Sequence, residues 1–251
     1  MNITWKRHKK SQSGFSLLEL MVVLLVLTVM MGAVFSQIDL VQQRSNAEQI
    51  KLDMFQESRE FMDQMSRDLR LAGYPNPRNV NPSNAYTTTP QENDPKNAVG
   101  IVKIDTNELW LEGDVDGDGN VESIQYHYDT TGTGCPCLKR SQVVKTAGTP
   151  LSQGNNFLTE VQNVVPSTVN GAATSQVFWA LTADGSAVTL PVDFGTNPNT
   201  VASINTIQVV LTVQSKSVDL KTRQPLTTML TSTVRLNNCS QATSGLPMSC
   251  Q

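Results

Sequence analysis

Between Leu20 and Ile38 the chain runs for 19 residues without a charged side chain. At ~1.5 Å of rise per residue, such a run crosses a ~30 Å hydrocarbon layer as a single helix. Lys6, Arg7, Lys9 and Lys10 precede it, and no acid lies among the first 14 residues. A basic flank on this side predicts that the N-terminal end stays in the cytoplasm and that everything after Asp39 lies across the membrane. A secretory signal peptide is the competing assignment, but Ser36-Gln37-Ile38 is a poor small-residue cleavage site. A plain anchor leaves Glu19 unexplained, because an ionised carboxylate inside an apolar stretch costs a few kcal/mol or more and calls for a partner.

The segment Gly14-Phe15-Ser16-Leu17-Leu18-Glu19-Leu20, behind a basic leader and ahead of an apolar helix, resembles the processing site of type IV pilins and type II secretion pseudopilins. The resemblance implies cleavage after Gly14 by a prepilin peptidase, methylation of the new N-terminal Phe15, and pairing of Glu19 with the N-terminal amine of a neighbouring subunit. Two buried opposite charges satisfy each other and an unpaired one is penalised, so such a pair selects register more than it adds stability.

The helix is expected to continue beyond the membrane. No Pro or Gly occurs from Gln37 to Ala72, and Ala47, Ile50, Met54, Phe61, Met65, Leu69 and Ala72 form a stripe at helical spacing. Gly73-Tyr74-Pro75 supplies the stop. Residues 15–72 would extend roughly 87 Å if continuous, too long for one domain to cover. Residues 76–98, with Pro77, Pro82, Pro90 and Pro95, read as a loop.

Beyond it the pattern turns to strands. Residues 99–105 and 108–113 flank a Thr106-Asn107 turn, and 122–129 place Ile124, Tyr126 and Tyr128 on one face. Residues 177–182 and 187–192 flank Asp184-Gly185, a hairpin signal. Residues 207–213 put Ile207, Val209, Leu211 and Val213 on one side, and 226–236 turn Leu230, Val234 and Leu236 inward. Trp110 and Trp179 read as core, and His127 as a solvent-facing strand residue. The expected fold is α+β, the type IV pilin fold: a long N-terminal helix whose second half packs on an antiparallel sheet. Its parts are a cleaved leader (1–14), a transmembrane and filament-core helix (15–38), an amphipathic helix half (39–72) and a periplasmic or extracellular β domain (73–251).

One cluster offers chemistry. Asp114, Asp116 and Asp118, with Gly119 and Asn120 following, match the opening of an EF-hand-like calcium loop. The three aspartates would give side-chain oxygens, Asn120 its carbonyl, and Glu122 a direct or water-mediated ligand. Gln125 stands where the motif expects a bidentate glutamate, and the flanks are strands. A solvated hairpin turn is the simpler alternative.

Four cysteines, Cys135, Cys137, Cys239 and Cys250, fall in the exported part and imply two disulfides. Cys239–Cys250 closes a short C-terminal loop, as in many pilins, and leaves Cys135 and Cys137 to each other across a tight spacing. The rival bridges both to the C-terminal pair. Zinc is disfavoured by the C-P-C spacing and the lone His127.

Charged residues are only 16% of the chain, against roughly 25% in ordinary soluble domains. Without the leader's four bases, 15 basic residues remain against 22 acidic ones, which argues against a direct nucleic-acid partner. No nucleophile–base pairing or phosphate-cradling glycine loop is visible, so an enzyme is not expected.

Later segments narrow the resemblance. Arg67-Asp68-Leu69-Arg70-Leu71-Ala72-Gly73-Tyr74, Asp116-Gly117-Asp118-Gly119, and Thr231-Ser232-Thr233-Val234-Arg235-Leu236-Asn237-Asn238 are similar to PilW-type minor pilins. The J-type minor pseudopilin of type II secretion shares much of this. The resemblance implies an inner-membrane protein that joins a tip complex initiating a type IV pilus. Its partners would be other minor pilins, the major pilin, the prepilin peptidase, the inner-membrane assembly platform and, before assembly, membrane lipid. Because a topmost tip subunit can lack the glutamate, Glu19 implies a place below another subunit. From another class, a membrane-anchored calcium-dependent adhesin would need neither cleavage after Gly14 nor a role for Glu19.

Overall fold

The computed structural model describes residues 14, 16–75, 91–169, 171–219 and 222–237. They have an α+β architecture, a long N-terminal helix followed by antiparallel sheets, consistent with the type IV pilin fold. The chain divides into two compact units, Met1–Glu48 and Gln49–Gln251.

Helix α1 spans Leu17–Leu71. In the first unit its large apolar side chains, from Leu17 to Val41, are all exposed. This stretch is long and apolar enough to cross a membrane. The second unit takes the rest of the helix and places Phe61, Met65, Leu69 and Ala72 in its core, while Ile50 and Met54, like Ala47 in the first unit, are only partly covered. Gly73 ends the helix at φ 78°, a left-handed conformation that favours glycine at this cap position.

The strands are β1 (Gly100–Ile104), β2 (Glu108–Gly113), β3 (Glu122–Asp129), β4 (Cys137–Val144), β5 (Leu158–Gln162), β6 (Val164–Val165), β7 (Ser167–Val169), β8 (Ala172–Thr174), β9 (Phe178–Thr182), β10 (Val192–Asp193), β11 (Ile204–Val218) and β12 (Pro225–Arg235). A short helix α2, Pro198–Ser203, precedes β11. Two main sheets result, where one was expected. The first runs β10-β1-β2-β3-β4-β5; the second runs β12-β11-β6, with β9 also on β11. One apolar cluster joins helix residues Phe61, Met65 and Leu69 to Ile124 and Tyr126 of the first sheet and Ile207, Leu211 and Val234 of the second.

Residues 187–192 do not form the expected strand. After the Asp184-Gly185 turn, the returning chain meets β9 through a bond from Thr182 N–H to Ser186 C=O, a bridge at Leu181–Ala187 and a bond from Val188 N–H to Ala180 C=O. Pro191 has no N–H to continue a ladder, and the chain crosses to the first sheet, where Val192 pairs with Ile104.

The alternation in β3 is also only half the account. Ile124, Tyr126 and Tyr128 face the core, yet Ser123 and Gln125 on the opposite face are buried too. Loop segments cover that face: Gln125 Nε2 donates to the Gly154 carbonyl, and the Asn156 N–H to Ser141 Oγ. His127 is half-buried beside the Phe157 ring, not solvent-facing. Trp110 and Trp179 are half-buried, not core. Trp110 packs on Val99 and Val102 in a separate small cluster, and its Nε1 donates to Glu108.

Two buried charge networks lock the second unit. Asp68, on the inner face of α1, accepts from Tyr126 Oη at 2.5 Å and from Arg140 Nη2 at 2.8 Å. Burial drives the Tyr126 phenol well above its usual range, and the Asp68 charge adds to it. Lys145, fully buried, donates to the carbonyls of Glu92 and Asn97 and to Glu112 Oε2 at 2.7–2.8 Å. It thereby ties the segment before β1 to the sheet.

Candidate functional site

At the N-terminus, Gly14 and Ser16 are described and exposed, while Phe15 and the leader 1–13 lie outside the described residues. The N–H of Leu20 donates to the Ser16 carbonyl, so the helical ladder begins at Ser16. Glu19 is exposed in the first turn, where a negative charge is favoured by the helix dipole. Ser16 and Glu19 also stand at the spacing of a capping box. Neither feature accounts for the uninterrupted apolar surface that follows.

At the other end of α1 the chain is stitched to the sheet by backbone bonds. Gly73 N–H donates to the Glu112 carbonyl and Asp114 N–H to the Tyr74 carbonyl, both at 2.8 Å. Gly113 permits this approach, since a Cβ there would lie 2.4 Å from the Leu71 carbonyl oxygen. The acidic turn, residues 114–121, starts at this junction and connects β2 to β3.

The structure brings together Asp114, Asp116 and Glu122, each with a carboxylate oxygen within 4.8 Å of the others. Asp114 also accepts from the amides of Gly117 and Gly119, both at positive φ. Asp118 is not drawn into the cluster. Its oxygens accept from the backbone N–H and side-chain amide of Asn120, and these bonds lower its pKa. Asn120 is exposed. Glu122 is 1% exposed. One of its oxygens accepts from Val115 N–H, and the other, Oε1, is buried with no hydrogen-bond partner among the described residues. Burial first, then the neighbouring Asp116, Asp114 and Asp118 charges, push Glu122 up to about 7. Gln125, the position-12 residue of the motif, falls on the opposite face of β3 from Glu122 because strand residues alternate; its side chain meets Gly154 instead.

Cys135 and Cys137 are bonded to each other. Both are thereby used, so they do not staple the tail in this structure. Cys239 and Cys250 lie outside the described residues.

An α+β chain that begins with a long helix of exposed apolar side chains is consistent with the type IV pilin fold. Residues 9–35 match the family model for the prokaryotic N-terminal methylation motif, typical of type IV pilin-like prepilin proteins. No curated protein and no solved structure matches the chain. The motif and the apolar helix together support a membrane-anchored protein of the pilin or pseudopilin kind, with a structural role and with processing and assembly partners of that class.

Proposed function

We propose that the chain is a minor pilin of the PilW type. It is cleaved after Gly14, methylated at Phe15, and held in the inner membrane by the 15–38 helix with the β unit in the periplasm. It then joins a tip complex that initiates a type IV pilus, in contact with other minor pilins, the major pilin and the assembly platform. The observation that carries this reading is the methylation motif leading directly into a helix whose apolar side chains are exposed from Leu17 to Val41. Such a surface needs lipid before assembly and other helices after it.

The PilW assignment rests on the resemblance of three sequence stretches. Two of the resembling stretches, 67–74 and the acidic turn, adjoin through the Tyr74–Asp114 bond, and Ser232 in the third lies 3.1 Å from Ser66 Oγ of the helix. The test is deletion of the gene with counting of surface filaments, followed by complementation. Loss of most filaments, restored by the intact gene, is expected. Unchanged filaments with defective protein secretion would transfer the assignment to the pseudopilin.

A further inference from the structure

We propose that the β2–β3 turn is a calcium site in which Asp114, Asp116 and Glu122 supply the protein ligands. The spacing alone is insufficient, because a solvated turn with three acids would show the same internal amide bonds. The independent observation is Glu122 Oε1. It belongs to a side chain that is 1% exposed and whose carboxylate shares the cluster with Asp114 and Asp116, and it has no donor among the described residues. A buried carboxylate oxygen without a partner is costly, and with two further carboxylates within 4.8 Å a cation satisfies it where a neutral donor would leave the neighbouring charges uncompensated.

The dimensions agree. Oxygens on opposite sides of a calcium ion, each about 2.3–2.6 Å away, are about 4.6–5.2 Å apart. Three oxygens confined within 4.8 Å of one another can therefore share one ion. The EF-hand template is altered in a physically intelligible way. There the twelfth residue reaches back from a helix; here β3 begins at Glu122, so the acid at the ninth position closes the site and Gln125 faces away. Exposed residues Asp116–Asn120 leave the other coordination positions to water. Few protein ligands and an open turn place the affinity in the extracellular range of about 10⁻⁴–10⁻³ M.

The site lies where Asp114 meets the Tyr74 carbonyl, so an ion here reinforces the junction between helix end and sheet. It does not depend on the assembly reading, and its failure would leave that reading standing. The test uses the full chain in mild detergent, with calcium chloride as the probe. At about 1 mM calcium the melting temperature should rise by about 1–5 °C, with the rise reversed by chelator and smaller with magnesium. Calorimetric titration should show one site. Asp116→Asn, at an exposed position, should fold normally and lose the response, and Glu122→Gln should lose it as well. No melting shift and no binding heat up to about 10 mM calcium would overturn the proposal. A full response retained in both variants would overturn it too.

Discussion

Lys145→Met should destabilise the second unit by about 3–5 kcal/mol, the range for removing one partner of a buried ion pair. The ammonium is completely enclosed, and its three donors are matched by two backbone carbonyls and the Glu112 carboxylate. Burial already raises the pKa of Glu112, with Lys145 the chief opposing influence. Without the lysine, Glu112 takes up a proton or remains an uncompensated charge, and the Glu92 and Asn97 carbonyls lose their donor. Against a usual domain stability of about 5–15 kcal/mol, this loss is large. Pairing the change with Glu112→Leu should recover part of it, because the charge is gone, but not all, because the lysine's bonds to the Glu92 and Asn97 carbonyls are still lost. Urea denaturation of the full chain in detergent measures both. A loss below about 1 kcal/mol for Lys145→Met would show that the pair is not what holds the segment before β1.

Glu19→Ala should leave membrane insertion and cleavage intact and reduce filament initiation by about a hundredfold or more. Removing a charge makes the apolar span easier to insert. In the assembled state, however, the neighbour's amine would be buried without its counter-charge, at about 3 kcal/mol or more, and each 1.4 kcal/mol is a factor of ten. Glu19 also sits in the first turn of α1 at capping-box spacing from Ser16, so Glu19→Gln separates the two roles. The amide can still cap, which preserves the helix start, but cannot pair with an amine. Both variants should therefore fail alike when each is the only copy in the cell. Normal filament numbers with Glu19→Gln would reduce Glu19 to a helix cap.

The parts of the fold legible in the sequence are those where local pattern and burial coincide. The stripe Phe61, Met65, Leu69 and Ala72, the Gly73 stop, and the alternation of Ile207, Val209, Leu211 and Val213 all reach the core. Strand β4 was not legible. Its inward position 140 carries an arginine whose partner, Asp68, lies 72 residues earlier. The signal for Asp68 was an acid set between Met65 and Leu69 on a buried stripe. Burial on the second face of the first sheet was also hidden, because the loops that cover Glu112, Ser123 and Gln125 have no periodicity. In the acidic turn, the spacing marked the segment where Asp114, Asp116 and Glu122 come together. The turning of Asp118 toward Asn120 and the burial of Glu122 depend on where β3 begins.

We propose that this chain is a processed, membrane-anchored subunit of a pilin-like assembly. Intact-mass and N-terminal peptide mass spectrometry of the protein from native membranes tests it most directly. Removal of 14 residues from 251 should leave a 237-residue chain beginning with N-methylated Phe15. A mature population that retains Met1, or that starts beyond Ile38 after signal-peptide cleavage, would contradict it.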